Sequence, residues 1–124
     1  MEKTIFIVDD SLTNLSMAEE ALEKDFNVMT MTSAAAMFTI LEKVNPDLIL
    51  LDIIMPETSG FDAIKQLKSL EAYKNIPVIF LTAMTDSYNE AQGRDLGAVD
   101  FITKPFLEDK LLECVKRHVR IRGN

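Results

Sequence analysis

The stretch LILLDIIMPETSG, residues 48–60, decides the predicted fold. Its first four residues are apolar, which is typical of a strand buried on both faces of a parallel sheet. They place one carboxylate, Asp52, at the carboxyl end of that strand, the edge where ligands bind in open α/β sheets. A charge beside a buried apolar run costs free energy unless the site uses it. Asp52 is therefore a candidate functional residue, and capping of the following loop is the alternative.

Strand and helix patterns alternate along the rest of the chain. Apolar or alternating runs predict strands at residues 4–8, 26–31, 48–51, 76–81 and 99–102. A run with apolar residues at helical spacing follows four of them, and capping signals indicate a helix after the fourth strand. This alternation predicts an α/β fold, a doubly wound five-stranded parallel sheet with helices on both faces. The expected strand order is the flavodoxin-like 2-1-3-4-5.

Polar residues indicate where several helices begin and end. Ser11 and Ser33 can cap the first two helices, and Ser87 with Glu90 has capping-box spacing for the fourth. Gly97 can end that fourth helix.

The apolar faces of the helices complete the prediction. The first helix is expected to turn Leu12 inward together with its later apolar residues, and the second to run to residues 45–47, where Pro46 ends it. The last helix is expected to begin near Phe106. Phe106 itself, like Tyr88, can serve either the core or a partner surface.

Composition limits the class of protein. A chain of 124 residues with 48% hydrophobic residues forms one domain, residues 1–124, with a single well-buried core. The net charge of −7 argues against direct nucleic-acid binding by this domain. No apolar run reaches the length of a membrane span, and the single cysteine suits a reducing compartment. We therefore expect a cytoplasmic domain without membrane contact.

The predicted sheet order brings polar residues together at one edge. Strands 1 and 3 are neighbours, so Asp9, Asp10 and Asp52 converge, with Thr82 and Lys104 at the adjacent strand ends. Three close carboxylates repel each other, and a divalent cation with oxygen ligands, Mg²⁺, relieves that repulsion. A metal, an ammonium group and a hydroxyl can stabilise a phosphoryl group in transfer, and a carboxylate can accept one.

The motifs Val8-Asp9-Asp10, LDIIMPETSG at residues 51–60, Thr82-Ala83 and Lys104-Pro105-Phe106 occur in this order across nearly the whole chain. Together they resemble the receiver domain of two-component response regulators. The resemblance implies that a histidine kinase, a phosphotransfer protein or a small phosphodonor phosphorylates the aspartate of the second motif, and that a downstream output domain or target protein responds.

The resemblance also implies a role for each site residue. Asp52 is the phosphorylated aspartate. Mg²⁺ is bound by Asp10, Asp52 and the main-chain carbonyl of Ile54, with Asp9 acting through a metal-bound water. Thr82 and Lys104 contact the phosphoryl oxygens. The Lys104–Pro105 peptide is expected to be cis, and Ala83 to guard access to the acceptor as a small residue.

The resemblance implies a switch as well. Phe101 stands at the family's switch-aromatic position, and a shift of Thr82 toward the phosphoryl group leaves space into which Phe101 can turn. Because phenylalanine has no hydroxyl, the two states are expected to differ mainly in apolar packing, read out on the fourth helix, fifth strand and fifth helix. Apolar Ile54 and Met84 predict slow to moderate loss of the phosphoryl group.

Two other classes of function remain as alternatives. A Mg²⁺-dependent aspartate-nucleophile phosphatase generally has a second acid two residues after the nucleophile, where this chain has Ile54. A degenerate receiver that serves only as a docking module is expected to lack an acid, the threonine or the lysine of the set.

The domain can stand alone or begin a larger regulator, and weak homodimerisation is possible. His118 and Cys114 are interpreted as structural residues of the last helix.

Overall fold

The computed structural model describes residues 2–83 and 87–123; for residues 87, 88 and 120–123 it describes the backbone alone. Strands and helices alternate. The strands are β1 Thr4–Val8, β2 Asn27–Met31, β3 Leu48–Asp52, β4 Val78–Thr82 and β5 Asp100–Thr103. The helices are α1 Leu12–Leu22, α2 Ala34–Leu41, α3 Gly60–Ser69, α4 Ser87–Asp95 and α5 Glu108–Gly123.

The strands form one parallel sheet in the order β2-β1-β3-β4-β5, as predicted. Val8 is paired with Leu51 in neighbouring strands, which brings the residues that follow β1 next to the end of β3. On the other side of β3, Asp52 is paired with Leu81. The register therefore gathers the carboxyl ends of the central strands at one edge.

Side chains of the sheet alternate between two apolar cores. Ile5 and Ile7 belong to the core covered by α1 and α5, whereas Phe6 and Val8 belong to the core covered by α2 and α3. All five residues of β3 are buried. Burial of each large apolar side chain contributes roughly 2 kcal/mol, so the central strand is held firmly and gives Asp52 a rigid base.

Serine caps begin three helices. The hydroxyl of Ser11 accepts a hydrogen bond from the Asn14 N–H and that of Ser33 from the Ala36 N–H, as predicted. Ser59 caps α3 in the same way, which the sequence analysis did not predict. The predicted capping role of Ser87 concerns a side chain outside the described residues. Gly97, with φ 114°, follows α4 in the left-handed conformation that suits a helix end.

Two predictions for the first two helices were wrong. Leu12 is 71% exposed, since the first turn of α1 lies at the carboxyl edge of the sheet and the helix becomes buried only from Leu15 onward. The second helix ends at Leu41, and a turn closed by the Val44 N–H and the Ile40 carbonyl replaces its predicted last turn.

Three later elements begin after the predicted residue, and β5 is displaced by one residue, to Asp100–Thr103. β4 begins at Val78 rather than residue 76, because Pro77 has no N–H to give the strand ladder. The last helix begins at Glu108, and Phe106 before it is buried in the core, which settles its role in favour of packing. The side chain of Tyr88 lies outside the described residues. Within the described part of the chain, none of the helices has the length and apolar character needed to cross a membrane.

Candidate functional site

Three carboxylates meet at the carboxyl edge of the sheet. Asp9 and Asp10 follow β1, Asp52 ends β3, and one oxygen from each lies within 4.8 Å of the others. Asp9 and Asp52 are buried, whereas Asp10 is exposed at the mouth of the crevice. The predicted convergence of the three acids is therefore confirmed.

Lys104, just after β5, supplies the positive charge of the crevice. Its Nζ lies 2.7 Å from Asp9 Oδ2 and 3.1 Å from Asp52 Oδ1. The peptide bond between Lys104 and Pro105 is cis, as predicted. Sequence analysis placed Lys104 near the acceptor but missed its shorter contact with Asp9. The available signal was that Asp9 and Lys104 both follow strands whose carboxyl ends lie at the same edge of the sheet.

The crevice changes the ionisation of its members. Burial, together with the negative charges of Asp9 and Asp10, raises the pKa of Asp52 from 3.8 to about 6, although Lys104 opposes the shift. Burial alone would lower the pKa of Lys104, but its contact with Asp9 and the charge of Asp52 outweigh burial and raise it. Lys104 therefore stays charged. At Asp52, its positive charge does not offset the effects of burial and of the neighbouring carboxylates.

This imbalance predicts a pH-dependent stability of the metal-free protein. The pKa of Asp52 is about 6 in the folded protein and 3.8 in the unfolded chain. Between these two pH values the folded protein binds more protons than the unfolded chain, so the free energy of unfolding decreases as the pH rises. Between pH 4.5 and 7 the expected loss is about 2 kcal/mol, the larger part of the roughly 3 kcal/mol that the whole shift corresponds to at about 1.4 kcal/mol per pKa unit. Urea unfolding at pH 4.5 and 7 measures it, with Asp52→Asn as the control that lacks this component; equal pH dependence in both proteins would contradict the prediction.

Asp9 gives a direct indication that a cation fits here. Its Oδ1 accepts a hydrogen bond from the Ser11 N–H at 2.9 Å, so a capping role and a site role coexist in one residue. Its Oδ2 is buried and pairs with the Lys104 ammonium at 2.7 Å, so this oxygen already faces a positive charge in the crevice. Oxygen donors with unused lone pairs and an exposed third carboxylate suit Mg²⁺ with part of its water shell.

The loop between β3 and α3 is held close to the acceptor by Gly60. Its N–H donates to the Ile53 carbonyl at 2.7 Å, and a Cβ on Gly60 would lie 2.3 Å from the Asp52 carbonyl oxygen. Only glycine permits this approach. Ile54 is 65% exposed in the same loop, and Glu57 has the left-handed φ of 70°. Sequence analysis missed the role of Gly60, which the dipeptide Ser-Gly before a helix could have indicated.

Thr82 and Ala83 lie beside the crevice at the end of β4. Thr82 is buried and pairs in register with Thr103, whereas Ala83 is exposed. Met84, which the sequence analysis also singled out, lies outside the described residues.

Phe101 of β5 is half-buried against the core that α2 and α3 cover. Its ring centroid lies 5.5 Å from that of Phe80, and the Arg94 guanidinium lies 5.5 Å above the ring. A Cβ on Gly93 of α4 would lie 2.4 Å from the Phe101 ring. The predicted switch aromatic therefore sits between β4 and α4.

Comparison with known proteins settles the family. The profile of the family described as "Response regulator receiver domain" matches residues 5–116. The chain belongs to this family. Its function is therefore that of a receiver domain of two-component response regulators.

The receiver's curated relatives include longer proteins. It is 38% identical over 117 residues to the "Probable cyclic di-GMP phosphodiesterase" of Vibrio cholerae, covering 94% of this chain and 26% of that protein. It is 38% identical over 122 residues to the phosphate regulon transcriptional regulatory protein PhoB of Pseudomonas aeruginosa, covering 98% and 53%. Protein PilG of the same species is 32% identical over 116 residues, covering 93% and 86%. The receiver thus spans between about a quarter and most of the length of these relatives.

Solved structures share its architecture. A response regulator from Thermotoga maritima superimposes with a TM-score of 0.88 at 32% identity, covering 97% of this chain and 99% of that one. The chemotaxis protein CheY4 of Vibrio cholerae gives a TM-score of 0.90 at 27% identity, covering 95% and 99%. The predicted flavodoxin-like fold class is confirmed.

Proposed function

We propose that this receiver accepts one phosphoryl group on Asp52 from a histidine kinase or phosphotransfer protein in a Mg²⁺-dependent reaction. The observation that supports it is the placement of three carboxylates within 4.8 Å of each other beside the Lys104 ammonium. Asp9 is engaged by Ser11 and by Lys104 at 2.7 Å, and Asp10 is exposed. Asp52, on the rigid central strand, is the acid best positioned as nucleophile.

The proposed chemistry assigns one task to each residue. A carboxylate oxygen of Asp52 attacks phosphorus, and the bond from phosphorus to the donor breaks, so that the leaving group carries away the electron pair. Asp10, Asp52 and the Ile54 carbonyl would hold Mg²⁺, with Asp9 acting through water. When bound, this ion supplies positive charge to the carboxylates and the transferring oxygens.

Two further residues stabilise the phosphorylated state. The Lys104 ammonium exchanges its contact with Asp52 for one with a phosphoryl oxygen, and the Thr82 hydroxyl donates to another. Ala83 leaves the approach to the acceptor open. The receiver catalyses no reaction beyond its own phosphorylation and dephosphorylation.

The two alternative functions lack a specific supporting observation. A phosphatase of the aspartate-nucleophile class would use an acid at position 54, and Ile54 is there with its side chain exposed. A docking module that had lost phosphorylation would not need the acids, Thr82 and Lys104, yet the complete set is present and gathered at one edge.

The test is the intact mass of the protein after incubation with acetyl phosphate. We expect a single phosphoryl adduct with Mg²⁺ and none with a chelator. If neither acetyl phosphate nor a phosphohistidine donor gives an adduct with the folded protein in Mg²⁺, the docking-module hypothesis replaces this one.

Loss of the phosphoryl group is proposed to be slow to moderate because Ile54 offers no polar group to the attacking water. Ile54→Asn is therefore expected to change the lifetime of the adduct several-fold, measured by intact mass after removal of the donor. Its 65% exposure keeps the substitution from disturbing the core. Ile54→Val, which stays apolar, is the matched control, and identical lifetimes in all three proteins would refute the idea.

The proposed switch moves Phe101 when Thr82 turns to the phosphoryl group. Because Phe101 packs on Phe80 and under Arg94, its movement would repack the face formed by α4, β5 and α5. Relaxation-dispersion spectra are expected to show ring exchange that changes on adding the phosphoryl analogue beryllofluoride. A single Phe101 rotamer with and without the analogue would contradict this switch.

The biological setting follows the family. A downstream output domain or a separate target protein would bind the switch face, and weak homodimerisation there is part of the proposal. Residues 1–124 are proposed as one receiver domain, either alone or as part of a longer regulator. The cytoplasmic location stays a prediction, as does the absence of direct nucleic-acid binding by this domain.

A further inference from the structure

A second group of metal-ligating side chains lies away from the acidic crevice, between β5 and α5. Asp100 begins β5, and Cys114 and His118 lie on α5. The four-residue spacing of the last two places them on the same face of the helix. One donor atom from each residue, a carboxylate oxygen, a sulfur and an imidazole nitrogen, lies within 4.8 Å of the other two.

The distances in this cluster resemble those around a tetrahedral metal ion. The Cys114 Sγ lies 3.5 Å from the Asp100 Oδ2, and the His118 Nε2 lies 3.0 Å from the same oxygen. With bonds of about 2.3 Å to sulfur and about 2.1 Å to nitrogen or oxygen, neighbouring donors around zinc are roughly 3.3–3.7 Å apart. The third pair, Cys114 Sγ and His118 Nε2, lies within 4.8 Å. Side-chain shifts of up to about 1 Å, on the scale of thermal motion, would bring all three donors to the ion.

We propose that Asp100, Cys114 and His118 bind one Zn²⁺ ion, with water in the fourth position. Sulfur, nitrogen and oxygen donors together suit this borderline-soft ion and are a poor match for Mg²⁺. On binding, the thiol proton of Cys114 leaves to solvent and a zinc–sulfur bond forms, while His118 and Asp100 each give a lone pair. The charge of the ion is then balanced by one thiolate and one carboxylate.

The surroundings permit access to this cluster. A surface groove of about 440 Å³ reaches Asp100 and Cys114 from the side of β5 and α5. Two arginines oppose a cation there: Arg117 lies 3.4 Å and Arg94 3.6 Å from the carboxylate oxygens of Asp100. Both contacts are long and partly exposed, so they are weak and can open when the ion binds.

The cluster also has a purely structural interpretation. The Asp100 carboxylate accepts hydrogen bonds from the Phe101 N–H and from Cys114, and these together with His118 lower its pKa although burial alone would raise it. Burial and Asp100 raise the pKa of the Cys114 thiol to about 12, which agrees with the predicted structural, non-redox role in the absence of metal. Metal binding by the three side chains distinguishes a metal site from a cluster that is only hydrogen-bonded.

Cobalt(II) is the probe, because tetrahedral cobalt bound to a thiolate has a sulfur-to-metal charge-transfer absorption. Cys114 is the single cysteine of the chain, so this absorption reports the proposed site alone. We expect it to saturate at one cobalt per chain, to be displaced by Zn²⁺, and to be accompanied by a Zn²⁺-dependent rise in melting temperature. No charge-transfer absorption in the folded wild-type protein would overturn the proposal.

Variants show whether all three residues act together. Asp100→Asn and His118→Asn are each expected to weaken cobalt binding at least ten-fold, and Cys114→Ala to remove the charge-transfer absorption. Asp109→Asn, a change at an exposed carboxylate in the first turn of the same helix, is the matched control and should bind like the wild type. If the absorption persists unchanged in both Asp100→Asn and His118→Asn, the metal is bound by the thiol alone and the three-residue site is wrong. Since this readout needs no phosphorylation, it is independent of the function proposed for Asp52.

Discussion

Asp52→Asn is expected to abolish the phosphoryl adduct completely. The amide nitrogen and oxygen of asparagine fill the same space as the carboxylate but cannot form an acyl phosphate. The measurement is intact mass after incubation with acetyl phosphate and Mg²⁺, beside the wild type. Asp62→Asn, at an exposed position of α3 outside the crevice, is the matched control and should be phosphorylated like the wild type. An adduct on Asp52→Asn equal to that of the wild type would contradict the assignment of the acceptor.

The same substitution is expected to leave the fold intact and, at neutral pH without metal, to make it more stable. The crevice raises the pKa of Asp52 to about 6, which means that a neutral side chain is preferred there. Loss of the adduct would therefore reflect loss of the nucleophile rather than unfolding. A lower urea midpoint for Asp52→Asn at pH 7 would show that the charge balance of the crevice has been misjudged.

Gly60→Ala is expected to destabilise the protein by about 3 kcal/mol, because overpacking against a rigid neighbour forces the backbone to move. The added Cβ would lie 2.3 Å from the Asp52 carbonyl oxygen and 2.8 Å from the Ile53 Cα, and both are main-chain atoms that cannot rotate away. The substitution should also slow phosphorylation, since relief of the clash displaces the acceptor's own strand end.

Urea unfolding and the rate of adduct formation measure these two effects. Gln66→Ala introduces alanine at an exposed position of the same helix and should change stability by less than about 0.5 kcal/mol. If Gly60→Ala unfolds at the same urea concentration as Gln66→Ala, the close approach of α3 to β3 does not constrain the site.

The strands of this receiver could be predicted well because burial on both faces leaves a strong pattern. The apolar run Leu48–Leu51 and the alternation of strands and helices sufficed for the sheet order, which in turn placed the three acids together. Errors arose where the spacing of apolar residues predicts burial but the residue lies at the carboxyl edge of the sheet. Leu12 fits the apolar spacing of α1, yet it lies on a turn that the sheet does not cover.

Contacts between distant elements were harder to predict. The pairing of Lys104 with Asp9 depends on side-chain reach across the sheet, which spacing along the chain does not encode. The cluster of Asp100, Cys114 and His118 depends on the rotation of α5 over β5. Sequence alone suggested separate structural roles for Cys114 and His118 and none for Asp100. The closeness of Gly60 to β3 likewise follows from packing rather than from local propensity.

The most direct test of the central claim is to locate the phosphoryl group on the wild-type protein. Borohydride reduces an acyl phosphate to an alcohol, so reduction of the adduct converts the acceptor aspartate to homoserine, which peptide mass mapping can place. We predict homoserine at position 52, only after incubation with both donor and Mg²⁺. Homoserine at Asp9 or Asp10 instead, or a phosphorylated protein with no reducible aspartate, would contradict the account.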